Sequence, residues 1–300
     1  MTTTGTDIKS TSFVVTPEAS EIAGAISYWR LSGSVSLAGL TAAWAAEGLD
    51  PELLPDTPAN DVALGRAVRD LQAKRRLVRP LARRGAWVVK DETVTADGKD
   101  VIHVRVASVK FADGGPVIDP GEASIEAFES VVGLIREGFR RACVELAPED
   151  ISYWLIGLAN ANASVSLRES GGIYFLPRTS TDFWRRVVRA VESCSGHRIF
   201  QIPAMKNSEA ISAIFDAVVN EANRAVAAIE TELLAEGDDR LGARALESRA
   251  AACDAMLTKI ASYETLLGVP FDVMRSRVDD LRANVAAAAL RSDDDAAVAA

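Results

Sequence analysis

Residues 57–90 read TPANDVALGRAVRDLQAKRRLVRPLARRGAWVVK, and the change of period within this stretch decides the fold expected of the N-terminal third. Thr57 is a capping residue type, and Pro58 suits a first helical position because its missing N–H would be orphaned there. Asp61 falls near the positive end of the helix dipole. At 100° per residue, Leu64, Ala67, Val68 and Leu71 converge on one face. Arg66, Arg69, Ala73 and Arg76 gather on the opposite face, roughly 160° away by the same arithmetic. From Leu77 the period shortens. LVRPLARRGAWVV holds two β-prone runs around Arg83-Arg84-Gly85, where the glycine permits a tight reversal. A helix with one apolar and one arginine face, leading into a basic hairpin, predicts a winged helix-turn-helix.

The same stretch carries the charge that points to a partner. Residues 60–90 hold nine Lys or Arg against Asp61 and Asp70, a local charge of +7 in a chain whose formal charge is −9. Such a patch suits a polyanion: DNA, or RNA, met mostly through phosphates. Arg66, Arg69 and Arg76 on the helix and Arg79, Arg83 and Arg84 on the wing are the expected contacts. A recognition helix enters a groove while the wing reaches adjacent phosphates.

Working outward, residues 1–12 (MTTTGTDIKSTS) read as a disordered tail. Thr16-Pro17 opens an expected first helix carrying Ile22, Ile26 and Trp29 and ending near Gly33. Ser34 or Ser36 caps a second, with Leu37, Leu40 and Trp44 inward and Gly48 as its left-handed stop. Beyond the wing, the turn Ala96-Asp97-Gly98-Lys99 leads to an alternating third strand, Val101–Phe111. These elements define a winged-helix-like domain over 13–112, bounded by the Gly/Pro-rich connection FADGGPVIDPGE.

Residues 122–205 read as a middle α+β domain. It holds a helix with Ile125, Phe128, Val131, Val132, Ile135 and Phe139, and another after Pro148 with Ile151, Trp154, Leu155 and Leu158. Two strands flank Gly171-Gly172, a helix carries Trp184, Val187, Val188 and Val191, and HRIFQIPA forms a further strand. Over 206–291, Ile211, Phe215, Val218, Ala222, Ala225 and Ile229 recur at four-and-three spacing. Leu246, Ala250, Cys253, Leu257, Ile260 and Leu267 follow on a second helix, giving an antiparallel helical hairpin, and a shorter helix spans about Phe271 to Arg291. Residues 292–300 are expected to form a disordered acidic tail. The fold class is α+β. ISYW followed by SVSL occurs at 26–37 and again at 151–167 with unequal spacers, which we read as coincidence.

Other chemistries find little support. Cys143, Cys194 and Cys253 are odd in number and far apart, so no disulfide framework is expected. Cys194 and His197 have the spacing of half a metal site, yet zinc wants about four ligands; we expect both to be structural. No glycine-rich nucleotide motif is present, and Gly171-Gly172 suits a turn. No carboxylate pair sits on a rigid apolar element, so no catalytic residue, cofactor or metal is assigned, and the chain is expected not to be an enzyme. Phe183-Trp184-Arg185-Arg186 with Arg189 reads as a core tryptophan beside a solvated arginine edge, with a nucleic-acid surface as the other reading. No leader pattern and no apolar run of about 18–20 residues is seen, which places the protein in the cytoplasm, away from membranes.

RLSGSVSLAGL at Arg30–Leu40, LVRPL at Leu77–Leu81 and GGIYFLPR at Gly171–Arg178 resemble a family of uncharacterised proteins of actinobacteria, their phages and archaeal viruses. The resemblance implies a mobile-element setting and no particular activity. Two functions remain: a nucleic-acid-binding protein, or a structural scaffold that self-associates as a homo-oligomer through its C-terminal helices.

Overall fold

The segment expected as a first helix is a strand over Ile22–Arg30, while its expected Thr16-Pro17 start and the expected tail over 1–12 lie outside the described residues. In the computed structural model, which describes residues 21–95, 100–168, 171–235 and 241–299, the chain begins with β1 (Ile22–Arg30), β2 (Val35–Ser36), α1 (Leu37–Ala46) and α2 (Asn60–Arg69). Strands β3 (Arg76–Pro80), β4 (Ala86–Val94), β5 (Val101–Ala112) and β6 (Gly115–Pro120) come next. α3 (Ile125–Ala142), β7 (Glu145–Leu146), α4 (Pro148–Ala161), β8 (Val165–Ser166), β9 (Ile173–Pro177), α5 (Thr181–Ser193) and β10 (Arg198–Met205) follow. Three long helices close the chain: α6 (Ser208–Leu233), α7 (Ala243–Leu267) and α8 (Asp272–Ala299). The class is α+β. The chain divides into two units, each built from separated stretches rather than from consecutive domains.

One unit comprises residues 29–158 and 183–199. Its sheet has the order β3-β4-β5-β6, with each neighbouring pair antiparallel. α2 and α3 pack on one face of it. Leu64 and Val68 of α2, Val131 and Ile135 of α3, and Trp87, Val89, Val106, Ala107 and Val109 of the sheet share one buried core. α2 and α3 come close enough that a methyl at Gly138 would lie 3.1 Å from the Ala67 Cβ. FADGGPVIDPGE is therefore no boundary. Asp113 and Gly114, at φ 52° and 79°, turn β5 directly into β6, as a two-residue hairpin of primed type requires. The turn expected at Ala96–Lys99 lies outside the described residues.

The helix of the quoted stretch is shorter than expected. It starts at Asn60 with Ala59 at the cap and no capping side chain, so Thr57 does not serve, and it stops at Arg69. The Gln72 side chain gives the reason. Its Nε2 donates to the Arg76 carbonyl at 2.9 Å and its Oε1 accepts from Val78 N–H at 2.8 Å. That amide bonds backbone groups at the start of β3, and Pro80 could not have donated a helical bond to the Arg76 carbonyl. With β1 a strand, the expected trihelical core is reduced to α1 and α2 before the sheet.

In the same unit α1 begins as expected, with the Ser36 side chain accepting from Gly39 N–H, and Gly48 follows its end at φ 61°. Trp44 packs on Trp154 at a centroid distance of 5.1 Å.

The other unit comprises the residues up to Tyr28, 159–182 and 200 onward. Its sheet has the order β10-β1-β9-β8, with β1 antiparallel to β9 from Gly24↔Pro177 to Tyr28↔Ile173. Ala23, Ala25 and Ser27 of β1 are buried at alternate positions. Gly24 permits the pairing, since a Cβ there would fall 2.0 Å from the Leu176 carbonyl oxygen. The spacing of Ile22, Ile26 and Trp29, four then three, mimics a helix without being one.

The C-terminal hairpin is a three-helix bundle. α8 packs along both α6 and α7. Phe271, Met274, Val278, Leu281 and Val285 recur at three-and-four spacing and are buried with Ile214, Val218, Ala222, Val226 and Ile229 of α6 and Leu246, Cys253, Ile260 and Tyr263 of α7. α8 runs on to Ala299 rather than ending at Arg291, so the backbone expected to be disordered over 292–299 is helical. Its alanine-rich sequence favours that conformation.

Candidate nucleic-acid interface

The six arginines expected at the interface separate into two groups. Arg69, Arg79, Arg83 and Arg84 are exposed, and none of their side chains has a hydrogen-bond or ion-pair partner among the described residues. Arg69 ends α2, Arg79 lies on β3, and Arg83 and Arg84 form the β3–β4 turn. Arg66 and Arg76 are engaged inside the fold.

Arg66 is not on an open face. Its side chain is 21% exposed and its Nη2 meets Asp150 Oδ1 at 2.5 Å. Asp150 also accepts from Ala147 N–H at 2.9 Å, satisfying an orphaned donor at the start of α4. Arg66 thus joins α2 to the α4 cap, while its Nη1 is buried without a partner. Arg76 sits on β3, not on the helix, and forms a two-pronged pair with Asp91 of β4 at 2.6 and 2.8 Å. Both are corrections to the expected site, with one cause. The hairpin begins before the helix period reaches Arg76, and the carboxylates that claim the two guanidiniums lie 84 and 15 residues away in sequence.

The sheet adds cations that the helical period concealed. Trp87, Val89, Ala107 and Val109 point toward α2 and α3. The pairs Arg79↔Val88↔Ser108 and Leu77↔Lys90↔Arg105 therefore occupy the other face, with Lys110 opposite Ala86. A bulge between Val89 and Lys90 keeps Arg105 on the same side as Ser108 and Lys110. Arg105 is bound to Glu122 at 2.7 Å and Lys110 lies 3.9 Å from Asp119. Lys90 has no partner among the described residues. The polar positions alternating along β5 were the available signal.

A cleft of about 820 Å³ lies beside α2, lined among others by Arg66, Arg69 and Arg141 and by Asp70, Glu145 and Glu149. Three acids offset three arginines there, so the cleft offers no net attraction to an anion.

The remaining candidates are structural in geometry. His197 is buried, its Nδ1 accepting from Ser32 N–H at 3.1 Å, and burial lowers its pKa. Cys194 Sγ faces the Val191 carbonyl, and burial raises the pKa of all three cysteines, holding them as thiols. Trp184 is buried. Arg186 donates to the Glu47 and Gly48 carbonyls and Arg189 pairs with Glu47 at 2.6 Å, so this edge caps the end of α1 rather than facing solvent freely. Among the described residues no group of three or more His, Cys, Asp or Glu is placed to hold a metal, and no helix is long and apolar enough to cross a membrane.

A family model matches residues 23–296, covering elements of both units. The chain belongs to DUF6744, a family of unknown function. No curated protein and no solved structure matches this DUF6744 chain.

Proposed function

We propose that the chain is a non-enzymatic nucleic-acid-binding protein of a phage or other mobile element, docking on phosphates through Arg69, Arg79, Arg83 and Arg84. One observation carries this reading: five exposed guanidiniums, those of Arg69, Arg75, Arg79, Arg83 and Arg84, whose side chains are unpartnered among the described residues, lie within sixteen residues of an otherwise acidic chain. Exposed arginines without carboxylate partners are free to meet phosphates bidentately. In this reading α2 and the β3–β4 hairpin act as helix and wing of a reduced winged-helix-like module, with Arg66 tying α2 to the start of α4 and Arg76 tying β3 to β4. Retention of the full chain on DNA-cellulose at about 50 mM salt tests it. Arg69→Glu/Arg83→Glu/Arg84→Glu should abolish retention with an unchanged melting curve. Unaltered retention in the triple variant, or none in the wild type, rejects the reading.

A second reading rests on the far end of the β4–β5 ribbon. Val94, Val101 and Ile102 are 49%, 57% and 46% exposed there, with Val94 opposite Val101. An exposed apolar tip suits a protein partner. Self-association through the α6 seam is harder to sustain, because that seam is already buried against α7 and α8.

A further inference from the structure

The sheet face turned away from α2 and α3 is basic around its rim, while Ala86 and Val88 at its centre are 6% and 8% exposed. It presents Arg79, Lys90, Arg105 and Lys110 around a floor of Leu77, Ala86, Val88 and Ser108. Glu92, Asp119 and Glu122 lie at its margins, and the two ion pairs there, Arg105–Glu122 and Lys110–Asp119, join half-exposed to exposed side chains. Pairs of that kind are worth about 1 kcal/mol or less and exchange readily for a phosphate.

Two features of this face select a class of nucleic acid. The first is spacing. With strands about 4.8 Å apart and a rise of about 3.3 Å per residue, the Cα atoms of Arg79, Lys90 and Lys110 are roughly 8 to 14 Å from one another. They form a two-dimensional patch rather than a file along one strand, and its breadth is comparable to a duplex groove about 12 Å wide. The second is chemistry. The aromatic ring of β4, Trp87, is buried on the helix side, and the floor of this face is aliphatic and small. Single-strand binders need a file of stacking platforms for unpaired bases; among the described residues this face supplies one ring, His103, exposed opposite Glu92.

The geometry points to a docking surface for double-stranded nucleic acid, with Arg79, Lys90, Arg105 and Lys110 straddling two rows of phosphates and Arg83-Arg84 at the edge. This rests on the nucleic-acid reading above, keeps its Arg79, Arg83 and Arg84, and puts the sheet face in place of α2 and Arg69 as the docking element, adding the strandedness. The test measures binding of the full chain to a labelled duplex and to a single strand of equal length, at one salt concentration. The wild type should bind the duplex about tenfold or more tightly than the single strand, and Lys90→Glu/Lys110→Glu should weaken duplex binding about tenfold or more. If that variant fails to fold, Lys90→Gln/Lys110→Gln should give a smaller loss in the same direction. Equal affinity for single strand and duplex, or duplex binding untouched by either variant, overturns the inference. Should Arg83→Glu/Arg84→Glu abolish binding while Lys90→Gln/Lys110→Gln does not, the nucleic-acid reading stands and only the sheet-face inference falls. A wild type that binds neither probe rejects both.

Discussion

At the scale of single residues, arginines three positions apart on one helix have different roles. Arg66 is held by Asp150, and Asp150 in turn caps α4, so a glutamate at 66 would face a carboxylate and strip the cap of its partner. The pair is largely but not wholly buried, and losing it should cost about 1–3 kcal/mol. Arg69 has no partner among the described residues. Arg66→Glu should therefore lower the urea midpoint while Arg69→Glu leaves it in place, and equal midpoints would show that the Asp150 link is idle. His197 gives a pH-dependent counterpart. Its Nδ1 accepts a backbone bond, which puts the proton on Nε2, and a second proton would remove that acceptor inside a buried site. Its pKa in the fold is below the ordinary value, so the unfolded chain takes the proton more readily. Stability is then complete above about pH 6.5 and declines as pH falls through that value. His197→Asn, which keeps an acceptor near Nδ1, should flatten the wild-type decline between about pH 7 and 5.5. Parallel pH profiles would remove the assignment.

At the scale of elements, what the sequence revealed depended on how far away the deciding partner lay. α1, α5, β9 and β10 were legible because their caps, turns and periodic apolar positions are local: Ser36 with Gly39, Gly48, and Trp184 with Val187, Val188 and Val191. ISYW shows the opposite case. At 26–29 it lies in β1, and at 151–154 it lies in α4. In the first copy Gly24 and the β9 backbone impose pairing; in the second the Pro148 start and the Asp150 cap impose a helix. The candidate interface was half legible. Its exposed turn, Arg83-Arg84, needs only a glycine to be placed. Arg66 and Arg76 needed knowledge of Asp150 and Asp91, which no local period supplies. α8 was undervalued for a similar reason, since its seam is regular but matters only once α6 and α7 are in place. Val278 is 1% exposed in that seam and Val273 is 85% exposed. Val278→Asp should cost about 3 kcal/mol or more in thermal or urea unfolding, and Val273→Asp close to nothing. If the two behave alike, α6 and α7 form a self-sufficient hairpin and α8 is accessory.

At the scale of the whole molecule, the contrast is between a local excess of positive charge and a chain of −9. In the proposed nucleic-acid reading, repulsion by the acidic remainder should limit non-specific binding and make it sensitive to salt. Among the cations of this patch that have no ion-pair partner among the described residues, the assigned contacts are Arg69, Arg79, Arg83, Arg84 and Lys90. If each displaces about one counterion from duplex DNA, the log–log dependence of affinity on salt should have a slope of roughly −4 to −5. Arg83→Ala/Arg84→Ala should make that slope shallower by about two, because both residues sit on an exposed turn and contribute little to the fold. Arg76→Ala should leave the slope unchanged and reduce stability instead, since its charge is already spent on Asp91. Anisotropy titrations at several salt concentrations measure all three slopes. A slope that responds to Arg76 but not to Arg83 and Arg84 would place the phosphates on the wrong side of the hairpin for this interface.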